Sequence, residues 1–185
     1  METIAKKSIK TKWVLDPTHS ELAFKVRHMM ITNVKGAFGI FDSTILADGA
    51  DFTKSSIDVT IDARSISTND DTRDAHLKSA DFFDVEKYNT ITFHGKSFIN
   101  IDDDDKYKLL GVVTIKGVSK EITLDVQFGG VSKDPWGNEK IGFSLEGKIN
   151  RKDFGLNWNA ALETGGVLVG EDVRISAEVQ FVKQR

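Results

Sequence analysis

The sequence predicts an all-β fold, about eight antiparallel strands closed into a barrel with one short helix as a lid. Apolar and polar residues alternate with period two through most of the 185 residues, the pattern of strands with one buried face. Turn signals separate consecutive segments, without βαβ alternation or an internal repeat. Only the stretch 70–83 favours a helix. Consecutive antiparallel strands in this number close most economically into a barrel, which removes exposed edges. The interior is then either filled by side chains or open to one small ligand.

Each element follows from local chemistry. Segment 1–12 is polar and expected to be flexible. Trp13-Val14-Leu15 opens the ordered domain, which runs to about residue 183, and Asp16-Pro17 breaks the strand. Residues 19–31 read as one long strand with Leu22, Phe24, Val26, His28 and Met30 on one face. In 34–48, Phe38 and Phe41 are three apart, so a bend near Gly39 is needed to bury both. Residues 55–63 point Ile57, Val59, Ile61 and Ala63 inward.

The helix, near 71–79, is capped by Asp70 or Asp71, whose carboxylate accepts from free backbone N–H groups. Phe82-Phe83 follow as an apolar anchor. Strands resume with Ile91 and Phe93 inward and a change of phase at Gly95 that buries Phe98. The four acids 102–105 lack the spacing of a calcium loop and read as a solvated hairpin tip. Residues 107–116 and 119–131 form a hairpin that sets Leu109, Gly111, Val113 and Ile115 against Ile122, Leu124, Val126 and Phe128. Leu110 and Val112 add an apolar outer patch suited to a second subunit. Ile141, Phe143, Leu145 and Ile149 mark the next strand. Val173, Ile175, Ala177, Val179 and Phe181 mark the last.

Composition narrows the function. Lys and Arg number 25 against 28 Asp and Glu, a net charge of -3 without a dense basic cluster, which argues against nucleic acid. With no cysteine, a disulfide, a thiolate metal site and a cysteine nucleophile are excluded. No apolar run reaches membrane-spanning length and no signal peptide is evident. The expectation is therefore a cytoplasmic protein as written, or a periplasmic one if a signal sequence was removed.

The four histidines, His19, His28, His76 and His94, show no metal-ligand spacing, and no nucleophile elbow occurs. No metal, cofactor or catalytic residue is expected. His28 reads either as a hydrogen-bonded interior histidine or as a contact for a polar head group. Arg73, Asp74 and His76 on the helix either meet a ligand's polar end or latch the lid. Arg151 and Asp153 read as a structural ion pair at a barrel corner, with contact to a ligand as the alternative.

Several motifs, in order, resemble the YceI-like family of bacterial proteins. The opening Trp13-Val14-Leu15-Asp16-Pro17-Thr18-His19-Ser20 with Phe24 and His28 is similar to its first strand, and Gly36 with Phe38 and Phe41 to its second. The most specific piece runs from Ser65-Ile66-Ser67-Thr68 through Arg73-Asp74, His76-Leu77-Lys78-Ser79 and Asp81-Phe82-Phe83-Asp84. Gly111-Val112-Val113-Thr114-Ile115 and Asn150-Arg151 with Asp153-Phe154-Gly155 complete the series. Tyr88-Asn89 departs from relatives that have Pro after the Tyr.

The resemblance implies an extended eight-stranded antiparallel lipocalin-like barrel, a long apolar cavity, and often a homodimer. The implied ligand is a polyisoprenoid, isoprenoid quinone or fatty-acid-like lipid. The expected lining is Phe24, Val26, Phe38, Ile40, Ile57, Val59, Ile61, Phe93, Val113, Ile115, Leu124, Val126, Phe143 and Leu145, with Phe82 and Phe83 closing one end and His28, Arg73 and His76 as polar contacts. The leading function is non-catalytic binding, transport or storage of that ligand. The alternatives are an enzyme acting on a lipid or isoprenoid ester with His28 or His76 as base, and a filled barrel without a ligand.

Overall fold

In the computed structural model, which describes residues 10–49, 51–102 and 104–185, eleven strands pair into one antiparallel sheet. β1 (Thr11–Leu15), β4 (Phe41–Asp48), β5 (Asp51–Asp62) and β7 (Thr90–Asp102) lie side by side. β8 (Lys106–Ile115), β9 (Val118–Lys133), β10 (Glu139–Asn150) and β11 (Val169–Lys183) continue the series, and β11 pairs back onto β1. These eight close the barrel.

The other three, β2 (Glu21–His28), β3 (Thr32–Phe38) and β6 (Ile66–Ser67), continue β1, β4 and β5 beyond a break in each. β11 spans both tiers: Phe181–Lys183 pairs with β1, and the stretch from Val169 to Glu178 pairs with β2.

Each break has a local cause. Pro17 has no N–H for the ladder, and Asp16 caps the 3₁₀ turn Pro17–His19 by accepting from the Thr18 N–H at 3.2 Å. Between β3 and β4 the chain steps aside at Gly39-Ile40. After β5, Asp62 caps a second 3₁₀ turn, Ala63–Ser65. The last two breaks are bonded together: Gly39 N–H donates to the Ser65 carbonyl at 3.1 Å, Ile40 N–H to Ser65 Oγ at 3.0 Å, and Asp62 N–H to the Ile40 carbonyl at 3.0 Å.

Beyond the breaks, β6 is two residues long and pairs only with β3. The wall between it and β7 is filled instead by α1 (Asp71–Lys78) and the turns that follow. Below the breaks, aromatic rings plug the barrel. Phe52 packs at 5.2 Å from Phe143 and 5.4 Å from Phe128, and Phe98 stacks on Tyr107 at 4.5 Å.

The expected phase change at Gly95 is present as a register shift between Gly95 and Ser97 that buries Phe98. The hairpin turns on Lys116-Gly117, both with positive φ, the backbone that suits a two-residue turn. Two expectations are corrected. The strand expected over 19–31 ends at His28, because Met29 and Met30 adopt left-handed backbone (φ 50° and 61°), so Met30 leaves the inner face. Thr11 and Lys12, expected to be flexible, pair with β4; residues 1–9 of that segment lie outside the described residues. So does residue 103 of the acidic tip. Leu110 and Val112 are half-buried on the outer face.

Asp16 holds the first break. Its carboxylate accepts from Lys140 Nζ at 2.8 Å, His19 Nδ1 at 2.9 Å and Thr18 Oγ1 at 2.8 Å. The Lys140 bond, with smaller help from His19 and Thr18, outweighs desolvation and holds this carboxyl well below the usual carboxylate range. A depressed folded pKa means the stabilisation is present above the unfolded value of about 4 and fades as pH falls below it. Asp16→Asn is expected to cost on the order of 2 kcal/mol at pH 7. Urea titrations of both proteins from pH 7 to pH 3 check this, the gap between them narrowing below about pH 5.

Candidate functional site

Strand parity points a set of large apolar residues inward, yet many are only half-buried: Leu22, Phe24, Val26, Phe38, Val59, Leu124 and Leu145. Their free surface faces interior space. An upper cavity of about 620 Å³ lies inside β2 and β3 under α1. A lower one of about 160 Å³ sits above the aromatic plug. Leu22, Ile61, Val113 and Ile175 belong to both walls, so the two adjoin. Protein interiors normally leave few voids larger than a water molecule. This space is a built one.

Most of the expected lining stands around it. Phe24, Val26, His28, Phe38, Ile61, Arg73, His76, Phe82, Phe83, Val113 and Ile115 line the upper cavity. Ile57, Val59, Phe93, Leu124, Val126, Phe143 and Leu145 line the lower one. Ile40 is the correction. It sits at the break between β3 and β4, where its N–H and C=O are tied to Ser65 and Asp62, and its side chain is turned out and 63% exposed.

Phe24 lies flat over Gly36, where a Cβ would overlap its ring. From there aromatic contacts cross the gap in the wall, Phe24 to Phe38 at 5.7 Å and Phe38 to Phe83 at 6.0 Å. Sequence reasoning missed other wall residues. Leu22, Ile91, Ile149, Val173 and Ile175 carry the same inward parity. Leu156, Trp158 and Leu168 come from the irregular segment 155–168, which has no period to read.

One end of the cavity is polar. Asp70 caps α1 by accepting from Arg73 N–H at 2.9 Å. Thr68 fastens the same turn: its hydroxyl donates to buried Asp74 at 2.6 Å and accepts from Arg73 Nε at 2.7 Å. Its N–H also donates to Asp74 at 2.8 Å, and its carbonyl accepts from Arg73 Nη2 at 3.0 Å. Arg73 and Asp74 thus latch the helix, while Arg73 also borders the cavity. His76 bonds Asp81 at 2.9 Å through Nε2, its ring edge-on between Phe82 at 5.1 Å and Trp158 at 4.6 Å.

Arg151 is 3% exposed and does not pair with Asp153, correcting that expectation. Its guanidinium donates to four backbone carbonyls, of Leu156 (2.6 Å), Gly170 (2.7 Å), Trp158 (2.9 Å) and Val169 (3.2 Å). Burial lowers its pKa, and Glu171 opposes the shift. These bonds fasten the irregular segment as part of the wall. Neither the His28 nor the His76 ring has a hydroxyl partner among the described residues, and no cluster of three metal-ligating side chains occurs among them.

Thr68→Val is expected to strip Asp74 and Arg73 of their shared hydroxyl, costing about 1–3 kcal/mol. Hydrogen exchange checks it: the α1 amides should lose protection well before those of β8.

The YceI-like domain family matches residues 13–181. A UPF0312 protein of Staphylococcus aureus strain bovine RF122 / ET3-1 is 43% identical over 172 residues, 92% of this chain and 97% of that protein. Among solved structures, the YceI protein of Campylobacter jejuni superposes with a TM-score of 0.71 at 40% identity, covering 86% of this chain and 90% of that one. Burkholderia cenocepacia BcnA shares the fold at TM-score 0.76 and 23% identity, covering 90% and 98%. So does a polyisoprenoid binding domain from Saccharophagus degradans, at TM-score 0.68 and 16% identity, covering 93% and 98%.

Proposed function

This chain belongs to the YceI-like domain family, and on that footing we propose that it binds and carries, without catalysis, one long-chain apolar molecule inside the barrel. The observation behind this is the cavity itself. An apolar space of about 620 Å³ falls in the range of ligand pockets, about 300–1,000 Å³. It leads down to the aromatic plug and has its polar groups gathered at the α1 end. A filled barrel would have packed this volume. A lipid-ester hydrolase of the triad type would need a hydroxyl beside His28 or His76, and neither ring has one among the described residues.

The geometry suits an elongated molecule with one modestly polar end. Each buried CH₂ contributes roughly 0.8 kcal/mol, so ten such groups supply about 8 kcal/mol, before ordering costs, with few polar contacts. Polyisoprenoids, isoprenoid quinones and fatty-acid-like lipids fit this description. The first is the class named for the Saccharophagus degradans domain.

Organic extraction of the purified protein followed by mass spectrometry is the test. A stoichiometric long-chain species absent from a mock preparation is the expected result. Val59→Arg places a cation against the lower cavity, and Val26→Trp fills the upper one without charge; both should reduce bound ligand at least tenfold. A folded Val26→Trp protein that retains its ligand would sink the reading.

A further inference from the structure

The tip of the β2–β3 hairpin is built against local preference. Met29 and Met30 are the central residues of a turn closed by Ile31 N–H to the His28 carbonyl at 3.2 Å, with φ of 50° and 61°. Such turns ordinarily take Asn-Gly, whose backbone tolerates positive φ. Two methionines followed by isoleucine incur strain and set apolar side chains in solvent. Met29 is 44%, Met30 56% and Ile31 74% exposed. Val167 extends the patch, and Met30 lies so close over Gly166 that a Cβ there would overlap its sulfur.

Behind the tip the outer surface carries a row of cations. Arg174, Lys25 and Lys35 stand directly opposite one another on β11, β2 and β3. Like charges in that arrangement are destabilising. Arg27 lies nearer the tip and donates to the Met30 carbonyl at 3.2 Å. None of these four has a carboxylate partner among the described residues. Acids at this end include Glu171 and Asp172 on β11, which are bonded to Lys152 and Lys148, and Glu21, Asp125 and Glu146, which share an outer groove with Lys25, Lys35 and Arg174 without bonding them. His28, the residue just before the turn, and Leu168 and Val169 beside it line the upper cavity.

We infer that this hairpin docks the barrel onto an anionic lipid bilayer. Met29, Met30 and Ile31 enter the interface, and the basic group behind them meets the lipid head groups, with the cavity mouth facing the membrane. Apolar side chains backed by unpaired cations are the signature of interfacial binding to anionic lipid. The inference rests on the carrier reading for its purpose, since cargo of this class resides in membranes, though docking itself is measured without cargo.

The test is sedimentation of the full-length protein with vesicles of phosphatidylglycerol and phosphatidylcholine, against phosphatidylcholine alone. Binding to the anionic vesicles only, weakening with salt, is expected. Met30→Asp with Ile31→Asp, and separately Lys25→Glu with Lys35→Glu, should each reduce it at least tenfold without emptying the cavity. Met29→Asn with Met30→Gly should raise the melting temperature while weakening binding, a pairing that a purely structural turn would not give. Absence of binding by the unaltered protein overturns the inference. So does unchanged binding by the Asp variant, or a tip change that alters only the oligomeric state. Vesicle binding by a protein whose extract holds no ligand supports docking and counts against the carrier reading alone.

Discussion

The whole architecture depends on three strands breaking at one level. If β1–β2, β3–β4 and β5–β6 ran unbroken, their side chains would continue the aromatic packing of the lower tier. The bonds between Gly39, Ile40, Asp62 and Ser65, with Asp16 holding the first strand to Lys140, fix where the wall changes course. A backbone N–H or carbonyl freed at a strand break must find another partner. Here the breaks at Gly39 and Asp62 partner each other, while the first is tied to β10 and β11 through Asp16 and Ser20.

Those ties explain how one barrel is closed at one end and hollow at the other. The lower tier satisfies its backbone by ring closure and its side chains by aromatic contact. The upper tier gives up a strand's width of wall beside β6, and α1 with Phe82 and Phe83 restores it. A helix covers such a gap with fewer interstrand bonds than a strand would, which is why its Thr68 latch is needed. A large apolar cavity forfeits dispersion contacts that a packed core would make. The dense plug around Phe52 and the four carbonyl bonds of Arg151 offset part of that loss.

Much of the fold was legible because period two, Gly and Pro are local signals. The break at Gly39, the phase change at Gly95 and the turn at Lys116-Gly117 all announce themselves in a few residues. Inward parity likewise located the wall from Phe24 to Leu145. It failed at Ile40, where the chain is between strands and parity has no meaning, and at Met30, where the strand had already ended. Trp158, Leu156 and Leu168 were invisible for a different reason. Leu156 and Trp158 are placed by Arg151, a residue outside their segment, and Leu168 by Ala160 and Met29, all through bonds to backbone rather than to any side chain a reader could match. The expected Arg151–Asp153 pair fell to the same preference: a buried guanidinium can be satisfied by carbonyl oxygens without a carboxylate.

That way of fastening bears on how such a barrel changes over evolutionary time. Arg151 grips Leu156, Trp158, Val169 and Gly170 by their carbonyls alone, and every amino acid supplies a carbonyl. Apart from Asn159, whose side chain bonds the Val169 N–H and carbonyl, the segment's side chains can therefore be exchanged while its path stays the same. That stretch of the cavity wall is free to drift on a frame that does not notice the substitution.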